Sequence, residues 1–174
     1  MKMYEIPEAR RATRGKSIMN FLSLGANEKV TSILAMSQDK GGKKEQSISS
    51  LILVTKDGTV KKMAAASFKD VRRSGIIAMR LDKGDQLISA LMTEKGDEVM
   101  IATAEGQSIR FKESDVREMG RTAGGVTGIK LKKSDEVIGV DVVKKDQDKG
   151  AFLTMSANGF GKKTDLKEYK AQKR

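Results

Sequence analysis

The chain has no cysteine, no histidine and no tryptophan, and a single proline. Without cysteine there are no disulfides and no thiolate metal sites, a composition compatible with the cytosol. Without histidine the commonest general base and the commonest metal ligand are both missing, which leaves only carboxylates or lysine for acid–base chemistry. Aromatic residues make up 4%, too few for a platform on which single-stranded bases stack. No apolar run reaches the roughly 18 residues of a membrane-spanning helix. Met1-Lys2-Met3-Tyr4-Glu5-Ile6-Pro7 lacks the apolar core of a signal peptide. No basic amphipathic helix is evident, which weakens a membrane-surface role.

What is present is positive charge and glycine. Across 174 residues the net charge is +11 and the pI about 9.8, with seventeen glycines and 38% hydrophobic residues. That size suits one domain with a sizeable core. The charge points to a polyanionic partner, nucleic acid before an anionic membrane. The alternative is a lysine-rich surface that merely keeps the protein soluble. The position of the charge decides between them.

Two stretches repeat one pattern, Ile52 to Ala90 and Met100 to Val140. Each opens on an apolar run and a turn, Leu53-Val54-Thr55-Lys56-Asp57-Gly58 against Ile101-Ala102-Thr103-Ala104-Glu105-Gly106. A basic strand follows, then an Arg-containing loop and a small-residue run, Gly75-Ile76-Ile77-Ala78 against Gly125-Val126-Thr127-Gly128. Each closes on an acidic turn and an apolar strand, Asp85-Gln86-Leu87-Ile88 against Asp135-Glu136-Val137-Ile138. A third copy starts near Phe152. Residues 1–36 resemble the back half of a unit, with Glu28-Lys29-Val30-Thr31-Ser32-Ile33 matching Asp85 to Ala90.

Asp-Gly and Asn-Gly turns between short branched runs predict hairpins. Helical periodicity is poor, and the best candidate, Ala64 to Val71, is short. Lys40-Gly41-Gly42-Lys43-Lys44 reads as an exposed loop between units, and its spacing is not that of a phosphate-binding loop. Asp85 and Asp135 read as turn residues rather than as a catalytic or metal-binding pair, and the ten methionines as core filler. Turn glycines 48 and 53 residues apart, with about four strands per unit, are the signature of propeller blades. Blades of this kind must stack on neighbours to bury their faces. The expected organisation is an all-β, incomplete propeller of four-stranded blades: 1–50 (partial), 51–98, 99–150 and 151–174 (partial).

Counted from the turn glycines, the basic residues keep register. Four positions after Gly58, Gly106 and Gly159 stand Lys62, Arg110 and Lys163. Fifteen positions after stand Arg73, Arg121 and Arg174. Ten positions after, Phe68, Val116 and Tyr169 are all apolar in body. Segments 1–16, 61–80, 109–133 and 162–174 hold 24 of the 34 Lys and Arg but 8 of the 23 Asp and Glu. Equivalent cations on stacked blades make a stripe, which suits the backbone of duplex DNA and carries little sequence information. Lys62, Arg110, Lys163, Arg73 and Arg121 are the leading candidate contacts. Arg14, Lys16, Lys61, Arg72, Lys112, Arg117 and Lys162 come next.

The chain resembles the C-terminal DNA-wrapping domain of the A subunit of bacterial DNA gyrase. The residues that carry this include Tyr4-Glu5-Ile6-Pro7-Glu8-Ala9, Asp57-Gly58-Thr59-Val60-Lys61-Lys62 and Gly84-Asp85-Gln86-Leu87-Ile88. Ile109-Arg110-Phe111-Lys112-Glu113-Ser114-Asp115-Val116-Arg117, Met119-Gly120-Arg121-Thr122 and Asn158-Gly159-Phe160-Gly161-Lys162-Lys163-Thr164 add to it. The related C-terminal domain of topoisomerase IV is the competing reading, and a propeller serving as a protein-interaction platform is another. The resemblance implies a β-pinwheel, a disc whose blades exchange strands and whose basic perimeter wraps duplex DNA. It further implies a parent type II topoisomerase that supercoils DNA in the bacterial cytoplasm, at the nucleoid. ATP and magnesium would be used on other domains or other gyrase chains. The partners would be the rest of the gyrase A chain, the gyrase B chain and duplex DNA.

Two departures limit these expectations. The family's gyrase A box, a Gln-Arg-Arg-Gly-Gly-Lys-Gly-like heptapeptide, is absent, and the nearest stretch, Gln172-Lys173-Arg174, lies in a different blade. The catalytic tyrosine belongs to another domain of the family, so Tyr4 and Tyr169 inherit nothing from it. The chain itself is expected to carry no catalytic residue, cofactor or metal, to bind DNA weakly and not to wrap a full turn. Its open blade edges invite association with a second copy.

Overall fold

The computed structural model describes residues 3–25, 28–36, 50–69, 71, 74–147 and 149–174. The glycine-containing loop around Gly41 and Gly42, together with Arg72 and Arg73, lies outside the described residues.

Three hairpins organise the chain, one per repeat: β1 (Ser50–Thr55) with β2 (Thr59–Ala64), β4 (Glu98–Thr103) with β5 (Ser108–Lys112), and β8 (Ala151–Met155) with β9 (Gly161–Asp165). Each turn glycine has positive φ, +83° at Gly58, +80° at Gly106 and +82° at Gly159, where a side chain is strained. A hydroxyl three residues earlier finishes each turn. The oxygens of Thr55, Thr103 and Ser156 accept from the N–H groups of Thr59, Gln107 and Phe160 at 3.1–3.3 Å.

The apolar run after each acidic turn lies antiparallel to its hairpin. Strand β3 (Leu87–Thr93) pairs with β1, and β7 (Val137–Val143) with β4. The register slips at matching points, Val54/Thr55 and Ala102/Thr103. Asp85 and Asp135 fix these turns to the hairpins. The Oδ1 of Asp85 accepts from Asp57 and Gln86 at 3.0 and 2.8 Å. The Oδ1 of Asp135 accepts from Glu105 and Glu136 at 3.0 and 2.9 Å. Burial disfavours the Asp135 charge, but hydrogen bonds from Thr103, Glu105 and Glu136 and the Lys132 cation outweigh it and hold its pKa below the ordinary value.

Sheets and sequence repeats are one strand out of step. β6 (Val126–Thr127), in the second repeat, pairs with β2 of the first, Thr59 opposite Thr127 and Val60 opposite Val126. The first sheet therefore reads β3-β1-β2-β6, the second β5-β4-β7 and the third β8-β9. Ile52, Val54, Val60, Val99, Ile101, Phe111, Val116, Ile129 and Val137 form one buried cluster across the first two blades. Residues Ala65–Phe68, Glu113–Asp115 and Leu166–Glu168 each form a 3-10 turn after a hairpin, so the helical candidate at Ala64 to Val71 shrinks to four residues.

The crossing of β6 makes the glycines of the two blades unequal. A Cβ on Gly58 would lie 2.8 Å from the Ile129 carbonyl oxygen, whereas one on Gly106 would meet nothing within 4 Å. Both substitutions force a side chain to positive φ, at about 1 kcal/mol. Gly58→Ala adds a backbone collision and is expected to lose about 1–2 kcal/mol more than Gly106→Ala in urea unfolding. Equal losses would mean that the chain around Ile129 yields freely.

Candidate nucleic-acid interface

The candidate cations divide into two groups, those committed inside the protein and those open to solvent.

Lys61 is wholly buried. Its ammonium donates to the carbonyls of Ala78, Arg121 and Ala123 at 2.8, 3.0 and 2.7 Å. Burial pulls its pKa below the ordinary lysine value, yet all three donors are satisfied. It ties the loop before β3 and the loop before β6 to β2. This removes Lys61 from the set of DNA contacts, since the loops before β3 and β6 cover its face of β2 and occupy all three donors.

Lys62 and Arg110 also face partners within the chain. The Lys62 side chain is 11% exposed and pairs with the Glu113 carboxylate, itself 7% exposed; its ammonium also lies 3.4 Å from the Glu113 carbonyl. Arg110 reaches the Glu98 carboxylate through Nε and Nη2, each at 2.5 Å. Its Nη1 donates to the carbonyls of Leu166 and Tyr169 at 2.8 and 3.1 Å.

These contacts are one interaction used twice. Glu113 and Leu166 both stand seven residues after their turn glycines, so the cation of each blade grips the 3-10 turn of the next. The main chain repeats the grip. Met119 and Gln172, thirteen residues after their glycines, donate N–H groups to the carbonyls of Lys62 and Arg110 at 2.8 and 2.7 Å. The in-register stripe is therefore, at its first two positions, a set of latches between blades. Both positions are poor candidates for phosphate contact, because the ion pairs already occupy their charge. The periodicity was visible in the sequence, but an inter-blade latch and a ligand stripe produce the same spacing.

Lys163 holds the same register position and is exposed on β9. Lys162 beside it is exposed as well, as are Lys112 at the end of β5 and Arg117 and Arg121 on the segment that runs along β2. Arg121 shares a groove with Arg80, lined also by Gly75, Ile77 and Thr122. Arg14 and Lys16 are exposed and share a second groove with Arg10 and Pro7. Arg174 is exposed but directs its guanidinium to the carbonyls of Asp115 and Thr127 at 2.8 and 3.1 Å. By contrast, two cations outside the candidate set are neutralised in place. Lys56 pairs with Glu136 at 2.6 Å, and Lys144 with Asp97 at 2.9 Å and Glu94 at 3.5 Å. Those bonds raise both pKa values, at Lys144 against the effect of burial.

Among the described residues no group of three acidic side chains is placed to hold a metal ion, and no helix is long and apolar enough to cross a membrane. The open cations spread over β5, β9 and the segments that join blades, with Arg121 in one groove and Arg14 and Lys16 in another, and such a spread surface suits an extended polyanion.

The family model for the DNA gyrase C-terminal domain, beta-propeller, matches residues 1–35, 49–94, 97–144 and 151–174. The A subunit of DNA gyrase from Salmonella typhimurium is 44% identical over the whole chain, and that from Escherichia coli strain K12 is 41% identical. The chain spans about a fifth (19%) of the length of these relatives. A solved DNA gyrase A C-terminal domain superposes with a TM-score of 0.76 at 26% identity, over all of this chain and 53% of the solved one. The C-terminal domain of a DNA topoisomerase IV superposes with a TM-score of 0.85 at 24% identity, over 98% of this chain and 51% of the solved one, a likeness of fold. Strand exchange between blades, the repeat register and these matches agree: the chain belongs to the DNA gyrase C-terminal domain, beta-propeller family.

Proposed function

We propose that this chain supplies part of a DNA-wrapping surface, binding duplex DNA without sequence preference as a segment of the A subunit of a DNA gyrase. The observation that carries this reading is the division of the cations. Lys112, Arg117, Arg121, Lys162 and Lys163 are exposed, while the register-equivalent Lys62 and Arg110 are spent on holding blades together. A rigid array with open cations spread along it can follow a bent duplex, with contacts to phosphates offsetting a bending cost of about 1–6 kcal/mol. The parent enzyme would use ATP and magnesium elsewhere, on the rest of the gyrase A chain or on the gyrase B chain, in the bacterial cytoplasm at the nucleoid. Without the gyrase A box the chain binds weakly and bends DNA by less than a full turn.

Anisotropy titration with a long duplex between 50 and 200 mM salt tests the proposal. About six phosphate contacts predict a loss of roughly 10³ in affinity over that range. Replacing Lys112, Arg117, Arg121, Lys162 and Lys163 together by Gln is expected to lower the salt slope by about 0.9 for each phosphate no longer neutralised. An unchanged slope would place the DNA elsewhere. A binding constant insensitive to salt would favour a protein-interaction platform instead.

A further inference from the structure

One basic position recurs in all three repeats and stays open in all three. Eleven residues after Gly58, Gly106 and Gly159 stand Lys69, Arg117 and Lys170. Each is exposed. None of the three side chains has a hydrogen-bond or ion-pair partner among the described residues. This separates them from Lys62 and Arg110, whose charge is already engaged.

The backbone at this position is fixed from both sides. The preceding residue is packed inward: Val116 is fully buried, Phe68 and Tyr169 are half-buried, and the Tyr169 ring meets that of Phe152 edge-on at 5.8 Å. Two residues further on, Met119 and Gln172 donate their N–H groups to the Lys62 and Arg110 carbonyls of the blade before. Each cation thus sits at a blade junction, between two anchors. A ligand there has only the side chain left to order, which lowers the cost of binding.

Arg117 shows that the exposure belongs to the position. Its segment runs along β2 of the first blade, where Lys62 bridges Glu118. On its other side Arg174 of the third repeat reaches the carbonyls of Asp115 and Thr127. With a blade on either side, Arg117 remains open.

The far end of each hairpin has the opposite character. There the hairpin turns meet the acidic turns, Asp57 and Glu105 donating N–H groups to the Asp85 and Asp135 carboxylates. Glu136 pairs with Lys56 at the same end. Strands of five or six residues, such as β5 and β2, hold the two ends roughly 15–20 Å apart. That exceeds the screening length of about 10 Å at 0.1 M salt, so a polyanion is drawn to one end and not the other.

Resting on the DNA-wrapping reading above, we propose that Lys69, Arg117 and Lys170 are the repeating phosphate contacts of this chain, one at each blade. Lys62 and Arg110 are positioning residues, since their carbonyls and side chains hold the segments that present these cations. Lys112, Lys162 and Lys163 are open cations whose register position is not open and basic in every repeat. They add contacts to single blades, whereas a duplex meets the recurring cation in the same way at each junction. Such contacts fix the path of the backbone and read no bases.

Anisotropy titrations with a long duplex between 50 and 200 mM salt test the assignment. Lys69→Gln, Arg117→Gln and Lys170→Gln should each lower the salt slope by about 0.9, and the three together by about 2.7. Lys29→Gln, Lys83→Gln and Lys133→Gln together remove the same charge from exposed sites beside the acidic turns and should leave the slope unchanged. Equal losses in the two triple variants would reduce the effect to net charge and overturn the proposal. An unchanged slope in the first triple variant would overturn it too, while the DNA-wrapping reading would stand. A chain that bound no duplex would overturn both. The lack of cysteine allows a second readout. With one photoreactive label on Arg117→Cys or on Lys133→Cys, only the first should link to the duplex, and equal linking would overturn the proposal.

Discussion

Arg110→Ala is expected to detach the third repeat from the second. The substitution strands the Glu98 carboxylate, 17% exposed, and takes the guanidinium from the carbonyls of Leu166 and Tyr169. Removing one partner from a buried ion pair costs about 3–5 kcal/mol. The remaining exposure of both side chains puts this case near the lower figure. The main-chain bond from Gln172 to the Arg110 carbonyl survives, so the blade loosens rather than leaves. Hydrogen exchange should show it as faster opening of residues 150–174, with β1 and β4 keeping their protection. Arg110→Lys should recover only part of the loss, since an ammonium cannot bridge a carboxylate and two carbonyls in one planar fork. Exchange that rises uniformly across the chain would show that Arg110 supports the whole fold and is not a latch between two blades.

Lys61→Met is expected to destabilise the protein by at least about 3 kcal/mol. Methionine keeps the length and bulk of the stem but leaves the carbonyls of Ala78, Arg121 and Ala123 facing an apolar group. Each buried acceptor left without its partner costs about 1–3 kcal/mol. Loss of the buried charge returns some of this. For a chain of this size the melting temperature should fall by roughly 6–12 °C. Below the transition, duplex affinity and its salt slope should match those of the unaltered protein. A reduced slope with unchanged stability would return Lys61 to the DNA surface and contradict its burial.

The two variants mark how far the sequence could be read. Turn glycines 48 and 53 residues apart, each followed by branched and basic residues, are local signals, so hairpins and blades were legible without tertiary information. So were Asp85 and Asp135 as turn residues, because a carboxylate that caps nearby N–H groups acts on its own neighbourhood. The hydroxyls of Thr55, Thr103 and Ser156 could also have been found, since each sits three residues before its glycine.

The role of the cations was a different matter. Lys61 and Lys62 are adjacent, yet neither is the open ligand that basic composition suggests. One side chain points into the protein and finds carbonyls 17, 60 and 62 residues away. The other finds a carboxylate 51 residues away. Register alone cannot separate Lys62 and Arg110 from Lys163, because all three occupy one position of the repeat.

What the sequence determined by itself is the all-β repeat, its period, its turns and its excess of positive charge, since each depends on residues close together in the chain. What only the tertiary structure decided is which cations remain for a partner. That depends on where the neighbouring blade places its carbonyls and carboxylates, as it does around Lys62 and Arg110.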